Sequence, residues 1–398
     1  MFEAFTKSVE AIYLVEASPH LRKQQAKLLS RSEELQNHDL GWKSTCKYLP
    51  GCDIIWCEDI RFVPKGWISS FSSLSPLTCL TEETSTPFIL AHEFFDALPI
   101  HVLQNVASSR IPASSTIITP TGPITPKHGP QAPKNQWHEL VVAPIQSSAS
   151  ITPVKGDKEE FHLTVSKTPT PHSLYLPQTS PRYQALSKTE NAIIEISPES
   201  LSYISDFAIR IGGSNPPASQ APSKTPSSPR SSSTSPFKKP TPSGAALILD
   251  YGPADTIPAN TLRGIRAHKT VSPFTSPGLV DISADVDFLA LAEAALSSSP
   301  GVEVHGPAEQ AFFLLTMGVK ERVERLVRKA REEKSGAADL EDMVKRLDVG
   351  WKRLVDRGPT GMGRIYKAMA IVPYVDGKVR RPVGFGGDVV GTESKETP

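Results

Sequence analysis

The stretch PFILAHEFFDALP, residues 87–99, decides the fold class of this chain. Residues 87–91 form an apolar run with the length and composition of a buried parallel strand, and His92 and Glu93 follow directly. In doubly wound α/β sheets, ligands bind outside the carboxyl ends of the strands. The stretch therefore predicts a strand that carries polar side chains to a binding crevice.

Three further apolar runs, at residues 11–15, 53–57 and 245–249, also end in carboxylates. Because the strand ends of such a sheet converge, the polar residues there predict one shared site. For any single acid, the alternative is that it only ends a strand in solvent. The residues that mark these four strand ends are Glu16, Asp59, His92, Glu93, Asp96, Asp250 and Tyr251.

Helical patterns alternate with the predicted strands. Ser18 and Ser197 each precede a proline, a pairing typical of a helix N-cap followed by the first helical residue. The combination predicts a mixed α/β body in which helices cross over between parallel strands. The other predicted elements are helices at residues 2–10, 281–296 and 307–329, an antiparallel strand pair at 136–142 and 161–165, and a last strand at 365–372.

Proline-rich segments interrupt this body. The chain has 398 residues with 37 prolines against 25 glycines, so much of it lies outside any core. We expect an inserted loop and, further on, a disordered Pro/Ser linker. The predicted organisation is 1–104, N-terminal part of the core; 105–135, inserted loop; 136–212, core continuation with substrate-side strands; 213–243, linker; 244–375, C-terminal part of the core; 376–398, tail.

Composition excludes several classes of partner and site. The 43 basic and 42 acidic residues nearly cancel, so charge gives no case for nucleic acid or an anionic membrane surface. No apolar run reaches the ~20 residues needed to cross a bilayer. The four cysteines lack C-x-x-C spacing, which favours incidental thiols in a reducing compartment over a zinc site.

Glu16 fits a nucleotide-type cofactor. A carboxylate at the end of an early strand can accept hydrogen bonds from both hydroxyls of a ribose. The same feature would serve a nicotinamide-dependent oxidoreductase, so fold logic alone leaves the cofactor open.

Several motif blocks occur in order along the chain: residues 14–19 with Leu21, Arg22 and Gln25; 56–66; 92–99; 250–252; 261–264 with His268 and Lys269; 277–288; and 306–318 with Gln310 and Phe313. They cover most of the chain apart from the Pro/Ser insertions. In this order they closely resemble the motifs of one family, the MidA-like mitochondrial arginine methyltransferases that assist assembly of respiratory complex I.

The resemblance implies a Rossmann-like S-adenosylmethionine-dependent methyltransferase sheet. It further implies symmetric dimethylation of arginine on a complex I subunit in the mitochondrial matrix, with a homodimer as one candidate assembly. A paired carboxylate can orient a guanidinium, and Glu93 is the first candidate for it and Asp96 the second. We expect Glu16, Asp59 and His92 on the cofactor side, and Asp250, Tyr251 and His268 on the substrate side.

Structural alternatives stand beside these assignments. Asp96 could N-cap the next turn, and Tyr251 and His268 could be ordinary structural residues. Asp281, Asp285 and Asp287 invite a metal interpretation, but 281 and 285 share a helical face that 287 does not. Methyl transfer needs no metal, so capping or solvated acids are the favoured interpretation and no metal is predicted.

The sequence departs from the family at its start. The family has a glycine-rich loop ahead of the first Val-Glu strand, whereas no glycine precedes Glu16 here. We therefore expect an N-terminally truncated chain, with a short form that cannot hold the cofactor as the alternative. Loss of the first, central strand would leave its neighbours with unpaired edges, so we expect the isolated chain to be unstable or aggregation-prone. Two other functions remain open: a catalytically inactive assembly protein with a methyltransferase fold, and a nicotinamide-dependent oxidoreductase.

Overall fold

The structure is a computed structural model. It describes residues 6–64, 85–110, 117–119, 121–124, 134–145, 161–214, 239–333, 337–359, 361–376 and 381–386. The chain divides into two compact units, residues 1–85 and residues 86–398.

In its described residues, the first unit contains a four-stranded sheet and the helix α1 (Pro19–Leu29), together with shorter helical turns. Strand order is β1-β4-β3-β2, with β1 and β4 parallel and the other pairs antiparallel. Trp56 and Ala26 are fully buried in its core. Its elements are β1 (Ala11–Val15), α1 (Pro19–Leu29), β2 (Gln36–His38), β3 (Gly41–Thr45) and β4 (Asp53–Cys57).

The sequence predictions for β1, α1 and β4 are confirmed. Ser18 N-caps α1 by accepting a hydrogen bond from the backbone N–H of Leu21, and Pro19 opens the helix. The β2–β3 hairpin was not predicted. It needs glycine at Gly41, whose φ is +140° and where a Cβ would lie 2.2 Å from the carbonyl oxygen of Trp56.

Within the described part of the second unit there are two four-stranded sheets, with orders β16-β17-β12-β5 and β10-β9-β6-β11, and two smaller ones. In chain order its strands are β5 (Phe88–His92), β6 (His101–Val106), β7 (Ile117–Thr119), β8 (Gly122–Ile124), β9 (Gln136–Pro144), β10 (Phe161–Val165), β11 (Ile193–Ile196), β12 (Ala245–Tyr251), β13 (Arg263–Arg266), β14 (Lys269–Val271), β15 (Asp281–Ser283), β16 (Val302–Glu309) and β17 (Tyr366–Pro373). Its helices are α2 (Pro171–Tyr175), α3 (Pro181–Ala185), α4 (Pro198–Gly212), α5 (Phe288–Ser298), α6 (Gln310–Thr316), α7 (Val319–Glu333) and α8 (Ala337–Val355).

The sheet around β12 positions the polar residues predicted for the site. β12 runs parallel to β5 and antiparallel to β17, so β5 and β12 end at the same edge. Ile248 and Met369 are fully buried on these strands, which anchors the sheet. The sequence predictions for β5, β12, β17 and helix α4 are confirmed, including Ser197 as the N-cap of α4.

The sheet around β6 is antiparallel throughout. One of its faces carries Leu103, Trp137 and Ile194, which pack against Leu176 and Tyr183 from the segments that follow β10. The predicted pairing of residues 136–142 with 161–165 is confirmed by β9 and β10.

Two predicted helices, 281–296 and 307–329, are present over part of their ranges, but their bounds are wrong. Residues 281–283 form strand β15, and α5 starts only at Phe288, because the Asp287 side chain accepts the N–H of Ala290 as an N-cap. Residues 307–309 belong to β16, which pairs with β17. The rest of the predicted helix is divided at Gly318, whose φ is +80°. Helix α6 ends before this glycine, and α7 begins after it.

Several predicted loops fall largely outside the described residues. Within the predicted insertion 105–135, the structure describes a helical turn at 108–110 and the β7–β8 hairpin. Residues 215–238 of the predicted linker lie outside the described residues. Of the helix predicted at residues 2–10, residues 2–5 also lie outside them, and residues 6–8 are helical. Among the helices described, none combines the length and apolar character needed to span a membrane.

The central strand gives a stability prediction. Replacing Ile248 with alanine should lower the free energy of unfolding by about 2–5 kcal/mol, because the change leaves a cavity in a fully buried position. Urea denaturation of the full chain measures this. Val142→Ala, at a side chain that is 57% exposed, is the control and should cost under about 0.5 kcal/mol. Equal losses for the two variants would contradict the placement of Ile248.

Candidate active site

Asp250 organises the turn that follows β5. It is fully buried at the end of β12, and its Oδ2 accepts the backbone N–H groups of Phe94 at 3.1 Å and Phe95 at 2.9 Å. Its Oδ1 accepts the N–H of Tyr251 at 2.9 Å. Three backbone donors therefore solvate a carboxyl group that water does not reach, and they fix the path of the chain after β5.

Glu93 is held in an unusual backbone conformation. Its φ is +47°, in the left-handed region that costs a residue with a Cβ about 1–3 kcal/mol. The backbone N–H of Glu93 donates to the carbonyl oxygen of Leu249 at 2.9 Å, which continues the ladder between β5 and β12. Its exposed side chain accepts the hydroxyl of Tyr366 at 3.1 Å. Backbone strain and a fixed carboxylate together are typical of a functional position.

Asp96 is buried beside Tyr251. Its Oδ2 accepts a short hydrogen bond from the Tyr251 hydroxyl, which also contacts the hydroxyl of Ser283. Its other oxygen, Oδ1, is buried and has no hydrogen-bond partner among the described residues. The side chain points to Tyr251 instead of capping its own turn, so the interpretation of Asp96 as an N-cap is wrong.

Two tyrosines hold the two carboxylates from neighbouring strands. Tyr251 and Tyr366 are direct register partners in β12 and β17, and their rings meet edge to face at 5.2 Å between centroids. Burial raises the pKa of both phenols. The neighbouring Asp96 raises the pKa of Tyr251 further, and Glu93 does the same for Tyr366. Both hydroxyls therefore stay protonated and act as donors at neutral pH.

Burial also changes the acids themselves. It raises the pKa of Asp250 to about 7, and the negative charge of Asp96 adds to this shift while the three backbone donors oppose it. Burial raises the pKa of Asp96 as well, although the hydrogen bond from Tyr251 opposes this shift. A carboxyl group with a raised pKa can accept a proton near neutral pH, as a general base requires.

Arg263 supplies the nearby positive charge. Its guanidinium lies 4.8 Å from the centroid of the Tyr251 ring, and it donates to Asp285 at 2.8 Å and to the carbonyl oxygen of Thr261 at 2.8 Å. Neither Arg263 nor Tyr366 was predicted from the sequence as a site residue. Arg263 lies in the motif block 261–264, which could have indicated it. Tyr366 has no such local motif, and its role follows only from its pairing with Tyr251.

The acidic group at 281–287 separates into three roles. Asp287 N-caps α5 and pairs with Arg182 at 2.9 Å, Asp285 pairs with Arg263, and Asp281 is exposed on β15. The favoured interpretation as capping and solvated acids agrees with this arrangement.

His92 and His268 stand apart from these contacts. His92 is the exposed last residue of β5. His268 lies exposed in the turn between β13 and β14, with φ of +62°. Their cofactor and substrate roles stay predictions.

Glu16 and Asp59 belong to the first unit. The two carboxylate oxygens of Glu16 accept the N–H of Ser18 at 2.9 Å and the side-chain amide of Gln25 at 3.2 Å. Asp59 caps a helical turn and pairs with Arg61 at 2.8 Å. Each carboxylate oxygen of the half-buried Glu16 can accept a second hydrogen bond, so this side chain fits the two hydroxyls of a ribose. Asp59 is already paired with the guanidinium of Arg61 and fits a ribose less well.

Comparison with known proteins shows the family to which the chain is similar. Residues 2–308 match the family model described as putative S-adenosyl-L-methionine-dependent methyltransferase. The mitochondrial protein arginine methyltransferase NDUFAF7 of Xenopus laevis is 26% identical over 372 residues, covering 92% of this chain and 60% of the relative. Its namesakes from Rattus norvegicus and Homo sapiens are 27% and 25% identical, again over 92% of this chain and 60% and 59% of the relatives. The chain thus spans about three fifths of the length of these relatives.

The raised pKa of Asp250 predicts how stability depends on pH. The folded state keeps a proton up to about pH 7 that the unfolded chain releases near pH 4, so the stabilisation is complete below pH 4 and is lost as the pH rises through 7. Between pH 5 and 7.5 the free energy of unfolding should fall on the order of 2 kcal/mol through this group. Urea denaturation across this range measures the slope.

Asp96→Asn is the informative variant for that slope. It removes the neighbouring negative charge that raises the pKa of Asp250, so the dependence on pH should become shallower. Asp255→Asn, at an exposed position, should keep the slope of the parent. Equal slopes for Asp96→Asn and the parent would contradict the coupling of Asp96 to Asp250.

Proposed function

The chain belongs to the MidA-like family of S-adenosylmethionine-dependent methyltransferases, and from this we propose that it methylates arginine side chains in a protein substrate. Two features support the proposal: the carboxylates at the carboxyl ends of β5 and β12, and the relatives that are named protein arginine methyltransferases. Because the chain spans only part of those relatives, its own activity stays a proposal.

The observation that carries the proposal is that Asp96 Oδ1 has no hydrogen-bond partner in the part of the chain that the structure describes. A buried carboxylate oxygen without a donor costs stability on the order of 1–3 kcal/mol, or more when it is charged. A guanidinium N–H would satisfy this oxygen while Tyr251 keeps the other one in place. The site is thus shaped to accept a planar cationic donor, and arginine is the side chain that carries one.

Glu93 provides the second acceptor. It is exposed, its carboxylate is held by Tyr366, and the strained backbone at residue 93 keeps it next to the Asp96 turn. Two carboxylates on one turn can bind different nitrogens of one guanidinium, which localises its charge away from the attacking nitrogen. Orientation of this kind lowers the barrier by fixing the reacting geometry in advance.

The proton that leaves the attacking nitrogen needs an acceptor. When bound, S-adenosylmethionine would supply the methyl group: its S–CH3 bond would break as the N–CH3 bond forms, the sulfonium would leave as the neutral thioether S-adenosylhomocysteine, and the methylated nitrogen would carry a surplus proton. Asp96 is the proposed base, because burial raises its pKa toward the range in which a carboxylate takes up a proton. Tyr251 keeps its own proton and positions that carboxylate.

Glu16 is the proposed ligand of the cofactor ribose. Its carboxylate is oriented by Ser18 and Gln25, and the Gln25 amide oxygen in turn accepts the indole N–H of Trp56 at 2.9 Å. Asp59 and His92 are proposed as further cofactor contacts. Asp250 and His268 are proposed on the substrate side, Asp250 by shaping the turn that carries Glu93 and Asp96.

The relatives' names also suggest where the chain acts. They are called mitochondrial, and we extend this to a location in the matrix, with symmetric dimethylation of a complex I subunit and a homodimer as the working assembly. These details rest on the family resemblance.

Removing either carboxylate should stop methyl transfer. Glu93→Gln and Asp96→Asn should each lower kcat about 100-fold, because each removes one charged acceptor of the guanidinium. The assay follows tritiated methyl from S-adenosylmethionine into arginine of complex I taken from cells that lack this activity. Analysis of the hydrolysed product distinguishes symmetric from asymmetric dimethylarginine.

Matched controls isolate the effect of charge at the site. Glu199→Gln and Asp255→Asn change exposed acids and should keep the parental rate. Normal turnover by Glu93→Gln and Asp96→Asn would refute the carboxylate assignment. If the chain binds S-adenosylmethionine and complex I subunits but transfers no methyl group, the inactive assembly protein becomes the better description.

Cofactor binding can be measured separately from transfer. Glu16→Gln should weaken binding of S-adenosylmethionine about tenfold, because a neutral amide accepts more weakly from the ribose hydroxyls. Calorimetric titration of the full chain measures the Kd, and Glu10→Gln, at an exposed acid in the same unit, should keep the parental value. Equal Kd values for Glu16→Gln and the parent would exclude Glu16 as the ribose ligand.

A further inference from the structure

We propose that His101, Glu139 and His172 form a binding site for a divalent transition-metal ion of the Zn²⁺ type. One donor atom from each residue lies within 4.8 Å of the other two. His101 and Glu139 lie on the sheet around β6, His172 lies in helix α2, and none of the three takes part in the proposed methyl transfer. The proposed metal site therefore does not depend on the proposed methyl transfer, and either proposal can fail without affecting the other.

Strand register brings the first two donors together. Leu103 on β6 lies opposite Glu139 on β9, and His101 is two residues before Leu103. Side chains two residues apart in a strand share a face, so His101 and Glu139 project to the same side of the sheet. His172, in the short helix α2, covers this side, and its ring lies 4.0 Å from that of His101.

Two imidazoles and one carboxylate are a donor set that suits zinc. Sites with three protein ligands leave a fourth position for water or another small ligand. His101 and Glu139 are partly buried, whereas His172 is exposed, so the cluster opens to solvent on the side of His172. A metal ion can therefore enter without displacing the core of the sheet.

Thr170 supplies the outer support that metal-binding carboxylates usually have. Its hydroxyl donates to Oε2 of Glu139 at 2.7 Å, which leaves Oε1 toward His101. Thr170 is itself fixed, because it forms a capping box with Ser173 at the start of α2. A carboxylate oriented in this way loses little freedom when it binds a metal ion.

The same residues also support a simpler interpretation, a hydrogen-bonded cluster that ties α2 to the sheet. Nδ1 of His101 lies 2.6 Å from Oε1 of Glu139, which is a direct hydrogen bond. Metal binding would replace this contact with two coordination bonds of about 2.0–2.2 Å and would require the His172 ring to turn. The exposed position of His172 permits that rotation.

Metal titration distinguishes the two interpretations. Untagged full-length chain is stripped with a chelator and titrated with Zn²⁺ by calorimetry, and Co²⁺ absorption in the visible range reports coordination by nitrogen and oxygen. We expect one ion per chain, and a loss of affinity of at least about tenfold in His172→Ala and in Glu139→Gln. His162→Ala, at an exposed histidine on β10 of the same sheet, should bind as the parent does.

His172→Ala keeps the test independent of folding. Its side chain is exposed, so its thermal midpoint in chelator should match that of the parent, whereas the rise in midpoint on adding Zn²⁺ should be lost. Absence of saturable Zn²⁺ binding by the parent would overturn the proposal. Unchanged affinity in His172→Ala would overturn it equally, and the cluster would then be a structural hydrogen bond only.

Discussion

The buried carboxyl group of Asp250 is the constraint on which the candidate active site depends. Moving a carboxylate out of water costs several kcal/mol unless donors replace the lost water. Here the donors are the backbone N–H groups of Phe94, Phe95 and Tyr251. The chain after β5 can keep Asp250 solvated only by following this one path.

That path determines where the other two acids lie. With Phe94 and Phe95 held by Asp250, Glu93 adopts its left-handed conformation and Asp96 turns toward Tyr251. The tyrosines of β12 and β17 then hold one carboxylate each. The backbone strain at Glu93 and the Asp96 oxygen that lacks a hydrogen-bond donor among the described residues both lower the stability of the fold. Natural proteins retain such destabilising features mainly where function needs them.

The sequence predicted the elements that local patterns specify. Apolar runs that end in carboxylates identified β1, β4, β5 and β12, and Ser-Pro pairs identified the starts of α1 and α4. The sequence predictions failed where pairing between distant segments determines the secondary structure. Several polar residues of β16 are half-buried in the sheet beside β17, a contact that no local pattern indicates, so the end of β16 was assigned to a helix. Tyr366 was missed for the same reason, since its role comes from register with Tyr251.

A structure of the protein with an arginine peptide and the demethylated cofactor would test the proposed guanidinium site most directly. We expect a guanidinium nitrogen within hydrogen-bond distance of Asp96 Oδ1, a second nitrogen at Glu93, and both tyrosine contacts intact. A guanidinium bound elsewhere, with Asp96 Oδ1 still unpartnered or satisfied by the protein's own groups, would contradict it.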